Sequence, residues 1–518
     1  MSSLTVEKKA ATKNGIKRMV FSLISLLLSI ALWFFLLSRL SSHFAWIGII
    51  INILALVVSL RIYGQNKTSS MKMPWIFLIL AFPFFGLFLY VLVGSSAHTK
   101  KMKMNFAEAN ALLLPKLPKN TAPLAAFHAL DPAAGNIAEY IARNNRYPIY
   151  NGSAVEYYSD ASEGLEAQLK ELAKAEKFIF MEYHAIENAE SWGRIQAVLE
   201  ERRAAGVEVR VFYDDMGSIG FVNTDFAKLL ESKGILCHVF NPFKFGLNIF
   251  LNNRDHRKIT IIDGKVGFTG GYNLANEYFN ISSPYGKWKD TGIKITGPAV
   301  KSLTVTFLEM WVAVNNGKTD DYDVDKYLPD VSPVKDAEGY VMPYSVNPLY
   351  GKHVGEDVYI SMLDKATEYC WFCTPYLILS DEMIKAMSLA ARRGVDVRII
   401  TPGIPDKKLV YRVTRSFYPP LVKNYVRIYE WSPGFIHAKM CIVDDKMATC
   451  GTINLDYRSL YHHFENGCFF YGSKAVSDMK ADFERSFSQS REVTEVYRDG
   501  RSGLSPLQLI LRLFAELL

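Results

Sequence analysis

The hydrophobic rhythm of the chain changes near residue 100. Before it, apolar positions run together without alternation in Met19–Leu37, Phe44–Leu60 and Trp75–Val93, none of which contains a charge. About 20 uncharged apolar residues span a bilayer as a helix, so each run predicts a membrane segment. The first is too long for a removable signal peptide and lacks its cleavage pattern, so it reads as a retained anchor. The third carries Pro83-Phe84-Phe85-Gly86 at its centre, where a kinked helix can dip into the bilayer and return. Beyond about residue 150 the rhythm becomes helix-then-strand, and it does so twice. The helical stretch Gly164–Lys177 leads into Phe178-Ile179-Phe180-Met181-Glu182-Tyr183, and a second helical stretch ends at Arg202-Arg203-Ala204-Ala205-Gly206 before Val207-Glu208-Val209-Arg210. Later, Lys365-Ala366 precedes the apolar strand Trp371–Tyr376, and Ala391-Arg392-Arg393-Gly394 precedes Val395-Asp396-Val397-Arg398. Glycine as helix stop followed by a β-branched run predicts an α/β fold with sheets covered by helices. Two halves in the same order predict a pseudo-two-fold pair with a site between them.

Composition adjusts this picture in three ways. At 518 residues the chain exceeds one ordinary core. The expected division is a membrane anchor at 1–110, halves at 111–335 and 336–500, and a C-terminal amphipathic helix at 501–518. Hydrophobic residues make up 49% and charged residues only 21%, as suits a membrane-attached protein. The net charge of +7 owes much to Lys8, Lys9, Lys13, Lys17 and Arg18, a cluster that fits anionic headgroups better than nucleic acid. Further basic clusters (Arg61, Lys67 and Lys72; Lys100, Lys101 and Lys103) follow the second and third runs. The positive-inside rule puts all of them in the cytoplasm. The resulting expectation is a multi-pass protein of the cell membrane with two crossings, a third segment that returns, and a cytoplasmic catalytic region. Cys370 and Cys373 form a lone C-x-x-C inside an apolar strand, where they point to opposite faces, so they read as structural rather than metal-binding.

The chemistry lies in a duplicated motif. His256-Arg257-Lys258 runs through Ile259-Thr260-Ile261-Ile262 to Asp263, and His437-Ala438-Lys439 runs through Met440-Cys441-Ile442-Val443 to Asp444. The copies are 181 residues apart (437 minus 256), and in each an asparagine, Asn273 or Asn454, lies ten positions after the aspartate. On a strand, residues two apart share a face, so each histidine projects with its lysine. The aspartates are seven positions on and face the other way, which favours a part in fixing the strand end. The candidate catalytic set is His256, Lys258, Asp263, His437, Lys439 and Asp444, with Asn273 and Asn454 as substrate-binding amides. Two imidazoles, two ammoniums and two amides in one cleft suit a phosphodiester: one histidine attacks phosphorus, the other protonates the departing alcohol, and the cations hold the oxygens.

These residues resemble the phospholipase D superfamily over nearly all of 150–500, and bacterial cardiolipin synthases within it. The specific signals are Arg254-Asp255-His256-Arg257-Lys258, Gly270-Gly271-Tyr272-Asn273-Leu274, Trp288-Lys289-Asp290-Thr291, Asn454-Leu455-Asp456-Tyr457-Arg458-Ser459 and Phe464-Glu465-Asn466. Gly271 and Thr452 stand where many superfamily members have serine. The resemblance implies two phospholipase D-like halves after a helical membrane region, and metal-independent transfer through a phosphohistidine, with His256 favoured as nucleophile and His437 as acid and then base. It also implies histidine-orienting carboxylates, Asp290 for His256 and Glu465 for His437. The implied reaction moves a phosphatidyl group between two phosphatidylglycerol molecules and releases glycerol. No motif points to a nucleotide, redox or metal cofactor, and the expected partners are phospholipid and membrane, without nucleic acid. The same motifs would serve a hydrolytic phospholipase D or, more remotely, a membrane-anchored nuclease; Pro242-Phe243-Lys244-Phe245-Gly246 is the nearest approach to a basic aromatic tract and reads as a lipid-facing or lid loop. The C-terminal stretch Leu504–Leu518 places Gln508, Arg512 and Glu516 in one polar stripe among leucine, isoleucine and phenylalanine, a helix for the bilayer interface or for packing on the protein body.

Overall fold

The computed structural model describes residues 12–518 apart from 22, 26, 29–30, 33–34, 36–44, 95–99, 120, 243–252, 316–322, 499–504 and 516–518. Much of Met19–Leu37, and the residues of the lid-loop tract after Pro242, therefore lie outside the described residues. Among those described, Trp46–Tyr63 is the one helical stretch long and apolar enough to cross a bilayer. The helix containing it, Ala45–Tyr63, has 19 residues and extends roughly 28 Å, close to the thickness of the hydrocarbon core. Ile49, Ile53 and Leu60 lie on its exposed surface.

The third apolar run is a broken pair of helices. Ser69–Ala81 ends at Phe82, whose φ of −135° and ψ of 72° leave the helical region, and Pro83 starts Pro83–Leu89. Proline disfavours helical geometry in the residue before it, which places the break. Gly86 then sits on the backbone of Ile79, so close that a Cβ there would come 2.5 Å from Ile79 Cα. Seven residues along a straight helix would put these positions about 10 Å apart. The chain has therefore folded back, and Tyr90 closes the hairpin against Trp75 with ring centroids 5.4 Å apart.

Two mixed sheets follow, of seven and nine strands. Seven strands correspond one to one. In the first sheet the order is Ala154–Tyr158, Gly292–Thr296, Val266–Gly270, Lys258–Ile262, Phe178–Tyr183, Glu208–Asp214, Leu236–Phe240; in the second it is Tyr340–Val346, Glu465–Tyr471, Met447–Gly451, Met440–Val443, Tyr369–Cys373, Asp396–Pro402, Arg427–Trp431. The last three of each set are parallel and helix-linked, and the rest antiparallel. Tyr150–Asn151 and Ser490–Glu492 complete the edges of the second sheet. Both motif strands are central, and every residue of each is buried. The helix Val300–Val314 is buried at nearly every position and packs against both sheets, its buried polar groups satisfied locally, Thr306 by the Ser302 carbonyl and Glu309 by Arg257. Phe307 on it stacks on Phe180 at 4.6 Å. All six cysteines are free and buried, with Cys370 Sγ 3.7 Å from Cys441 Sγ.

The C-terminal helix Pro506–Leu513 starts with a Ser505–Gln508 capping box. Glu516 lies outside the described residues, and the described part of the polar stripe faces the protein: Gln508 donates to the Arg412 carbonyl and Arg512 to the Ser416 carbonyl, and the Arg512 guanidinium lies 4.3 Å from the centre of the Phe417 ring. Leu507, Leu509 and Ile510 are left exposed.

Candidate active site

The halves meet through two backbone bridges that carry the site. Lys287–Lys289 pairs in parallel with Gly434–Ile436, and the His437 amide donates to the Lys289 carbonyl at 2.7 Å. On the other side Asp255 bridges Phe464, and the His256 amide donates to the Phe464 carbonyl at 2.8 Å. Each histidine is thus clamped by the other half. The residue after each clamping carbonyl is a carboxylate, which meets the imidazole from across the interface. His256 Nδ1 lies 2.9 Å from both oxygens of Glu465, and His437 Nδ1 lies 2.6 Å from Asp290 Oδ2. This corrects the expected pairing: Asp290 serves His437 and Glu465 serves His256. The resemblance implied each carboxylate for the histidine before it in the chain, and the two bridges between the halves reverse that pairing.

The motif aspartates are also corrected as catalytic candidates. Asp263 has φ 53° and Asp444 φ 51°, each opening the tight turn after its strand, where left-handed residues match the twist of a hairpin. The Asp263 carboxylate accepts from the amides of Glu176, Lys177 and Phe178 at 2.7–2.9 Å. Asp444 does the same for Thr367, Glu368 and Tyr369. Each ties the motif hairpin to the start of the neighbouring strand, away from the imidazoles.

The lysines stay with their histidines. Lys258 Nζ donates to the His256 carbonyl at 2.7 Å; Lys439 Nζ donates to the His437 carbonyl and lies 2.7 Å from His437 Nδ1. Asn273 and Asn454 both line the cleft. Asn273 is braced, accepting from the Ala185 amide and donating to the Tyr278 hydroxyl at 2.7 Å, whereas the Asn454 side-chain oxygen is buried with no hydrogen-bond partner. The cleft holds about 520 Å³.

Burial decides the protonation of this set. It pushes His437 down to about 3, helped by Lys439, and His256 well below the ordinary imidazole range, helped by Lys258. Burial also lowers Lys258 to about 7 and Lys439 to about 8. Burial would raise Asp290, but Lys439 and His437 outweigh it and hold the carboxylate low; Glu465 is left raised by burial. Both imidazoles are therefore neutral at pH 7, and with Nδ1 paired to a carboxyl group of the opposite half each Nε2 is the nitrogen outside that pairing.

Several neighbours carried no signal in the motif spacing. Ser459 donates to Glu465 Oε1 at 2.6 Å and Thr452 donates to Oε2. Gly271 makes room for Asp290, since a Cβ there would fall 2.0 Å from Asp290 Oδ1. The two departures from serine therefore answer to different carboxylates. His184, directly after a strand, lies with its ring 5.0 Å from His256, and the His463 ring is 5.6 Å away. Tyr278, Trp288 and Phe435 surround His437 at 5.3, 5.3 and 5.9 Å. His256, His463 and Glu465 bring possible metal-ligating atoms within 4.8 Å of one another.

Residues 359–487 match the family described as cardiolipin synthase, PLD-like domain, and residues 50–95 match phospholipase D-nuclease N-terminal. An uncharacterised protein of Streptococcus mutans serotype c is 41% identical over 456 residues, 88% of this chain and 98% of its own. The cardiolipin synthase of Oceanobacillus iheyensis is 30% identical over 480 residues, 90% of this chain and 98% of that protein. The chain belongs to the cardiolipin synthase family. That of Geobacillus kaustophilus is also 30% identical, covering 84% of this chain and 85% of the other. As a member of this family the protein is a membrane-associated phosphatidyltransferase. The phosphatidylserine synthase of Haemophilus influenzae shares the fold at a TM-score of 0.56 and 15% identity, covering 74% of this chain and 97% of that one.

Proposed function

We propose that the cleft joins two phosphatidylglycerol molecules into cardiolipin and releases glycerol. The observation that carries this reading is the pair of buried, neutral imidazoles, each oriented by a carboxylate from the opposite half. With Nδ1 engaged, His256 Nε2 attacks phosphorus, and the bond from phosphorus to the glycerol oxygen breaks. His437 Nε2 gives that oxygen its proton. Burial disfavours the imidazolium this needs, and the negative charge of a bound diester restores it. Lys258 and Lys439, with Asn454, bear the charge that gathers on the non-bridging oxygens. The second lipid's hydroxyl then attacks the phosphohistidine: its oxygen bonds to phosphorus, the bond to His256 Nε2 breaks, and His437 takes the hydroxyl proton.

The same reading assigns the apolar parts to the bilayer. The helix Ala45–Tyr63 crosses it, the hairpin Ser69–Leu89 enters and returns on one side, and the exposed leucines and Ile510 of the C-terminal helix rest in its surface. The deciding experiment incubates detergent-solubilised protein with phosphatidylglycerol and a chelator, identifying products by mass spectrometry. Cardiolipin plus glycerol, absent in His256→Ala and His437→Ala, is the expected result. Phosphatidic acid without cardiolipin would make the enzyme a hydrolase, and dependence on added metal would overturn the histidine mechanism.

A further inference from the structure

One stretch of the cleft wall takes no part in the chemistry. Within Ile404-Pro405-Asp406-Lys407-Lys408-Leu409-Val410-Tyr411-Arg412, Asp406, Lys407 and Val410 line the cleft, and the helix Lys408–Ser416 starts at this rim. Residues four apart stack on one helix face. Lys408 and Arg412 therefore stand together with Leu409 beside them, while Val413, Thr414 and Ser416 are buried. Leu409 is 54% exposed, and Ile404, ahead of the helix, is 41% exposed.

Charge is handled in two ways along this helix. Arg415 pairs with Glu430 at 2.9 Å, whereas Lys408 and Arg412, both exposed, have no carboxylate partner among the described residues. Asp406 accepts from the Tyr376 hydroxyl, and Lys407 lies over the same ring, 5.2 Å from its centre. Unpaired cations beside exposed large apolar side chains suit an anionic bilayer surface, where cations meet phosphates and apolar groups enter the acyl boundary. The neighbours of the helix lead to the same partner. The C-terminal helix Pro506–Leu513 touches both Lys408–Ser416 and Ser69–Ala81 of the hairpin assigned to the bilayer, and Gln508 and Arg512 hold the Arg412 and Ser416 carbonyls. A continuous series of touching elements therefore runs from the hairpin to the mouth of the cleft.

We propose that Ile404, Lys408, Leu409 and Arg412 seat the mouth of the cleft on the anionic bilayer surface, so that phosphatidylglycerol reaches the histidines sideways from the bilayer, past Lys407 and Val410. The proposal rests on the membrane reading of the C-terminal helix above and adds the surface through which substrate is loaded. Anionic headgroups gather at Lys408 and Arg412, and Leu409 and Ile404 enter the acyl boundary. None of the four lines the cleft, so they govern delivery and not the chemical steps.

The test compares a substrate held in a bilayer with one dissolved in water. Protein reconstituted in vesicles meets phosphatidylglycerol diluted with phosphatidylcholine, and detergent-solubilised protein meets dihexanoyl phosphatidylglycerol as monomers. Turnover is read as phosphatidylglycerol consumed, whichever product forms, so the result does not depend on transfer winning over hydrolysis. In vesicles, Lys408→Gln and Arg412→Gln should each raise about fivefold the mole fraction of phosphatidylglycerol needed for half-maximal turnover, the attraction of one cation to an anionic surface. Their kcat, and their turnover of the dihexanoyl lipid, should match the wild type. High salt should shrink the difference in vesicles, because it screens exposed charges. An unchanged half-maximal mole fraction, or equal losses on both substrates, overturns the proposal. Since the native cysteines are buried, fluorophores on Leu409→Cys and Ile510→Cys supply a second measure, and both should be quenched by quenchers carried on acyl chains. Quenching at Ile510→Cys alone overturns the seated mouth. Quenching at neither position would sink the membrane reading of the C-terminal helix, and this proposal with it.

Discussion

Lys258 and Lys439 occupy the same place in their halves, yet burial brings Lys258 to about 7 and Lys439 to about 8. Lys258 is cationic below its pKa, so attraction for a phosphodiester is complete in mildly acidic solution and is lost as pH rises through 7. For this protein kcat/KM with phosphatidylglycerol should therefore fall above pH 7, by about tenfold per pH unit where one proton is lost. A bound diester favours the ammonium, so the corresponding fall in kcat should lie at higher pH. Lys258→Arg stays charged throughout this range and should move the fall up towards pH 8, where Lys439 loses its proton, even where it lowers activity; a pH profile unchanged in that variant would free Lys258 of the role. The lysines and histidines were legible in the sequence because the motif repeats, although both histidines stand just before their motif strands, which begin at Lys258 and Met440, and are clamped by the other half. The carboxylate pairing was not, because Asp290 and Glu465 reach the opposite half's histidine and nothing in chain order records which half lies across the cleft.

Among the elements, the motif strands were legible for the same reason as the motif: apolar, β-branched and fully buried, with a glycine-terminated helix two steps before. The aspartates at their ends show why motif membership and function differ, since Asp263 and Asp444 spend their carboxylates on three backbone amides each. The C-terminal helix was legible as amphipathic, but periodicity does not say which face meets the protein. Here the polar stripe turns inward and Leu507, Leu509 and Ile510 turn out, next to the helices Lys408–Ser416 and Ser69–Ala81. In the proposed membrane reading, an outward apolar face beside this hairpin rests in lipid. Because the six native cysteines are buried, a fluorophore on Ile510→Cys can report this face alone. In lipid nanodiscs it should be quenched by quenchers carried on acyl chains and shielded from iodide. Strong iodide quenching with no effect of the lipid-borne quencher would put the helix in water.

At the scale of the whole molecule, the basic N-terminal segment is tied to the catalytic halves. Arg18 pairs with Asp215 at 2.7 Å, the Thr12 hydroxyl donates to the Gly220 carbonyl at 3.0 Å, and Asn14 meets Asn223 at 3.3 Å. Gly15 lies against the Ile219 carbonyl so closely that a Cβ would reach within 2.1 Å of its oxygen. The segment it touches belongs to the cleft wall, which includes Met216, Gly217 and Phe221. Residues in contact lie on one side of the membrane, so the chain between them must cross an even number of times. In the proposed topology the hairpin Ser69–Leu89 returns to its own side and adds none, while Ala45–Tyr63 crosses once. In that topology the first apolar run, expected from the sequence to cross, makes that number even. Tags placed at the N-terminus and after Leu518 should both resist protease in intact cells stripped of their wall and both be cut after lysis. A tag cut at one end alone would break the parity, and with it either the Arg18–Asp215 contact or the returning hairpin. Replacing Arg18 by glutamate separates these, since repulsion from Asp215 would release the N-terminal segment from the cleft wall while leaving the hairpin, and hence the side of the C-terminal tag, as it was.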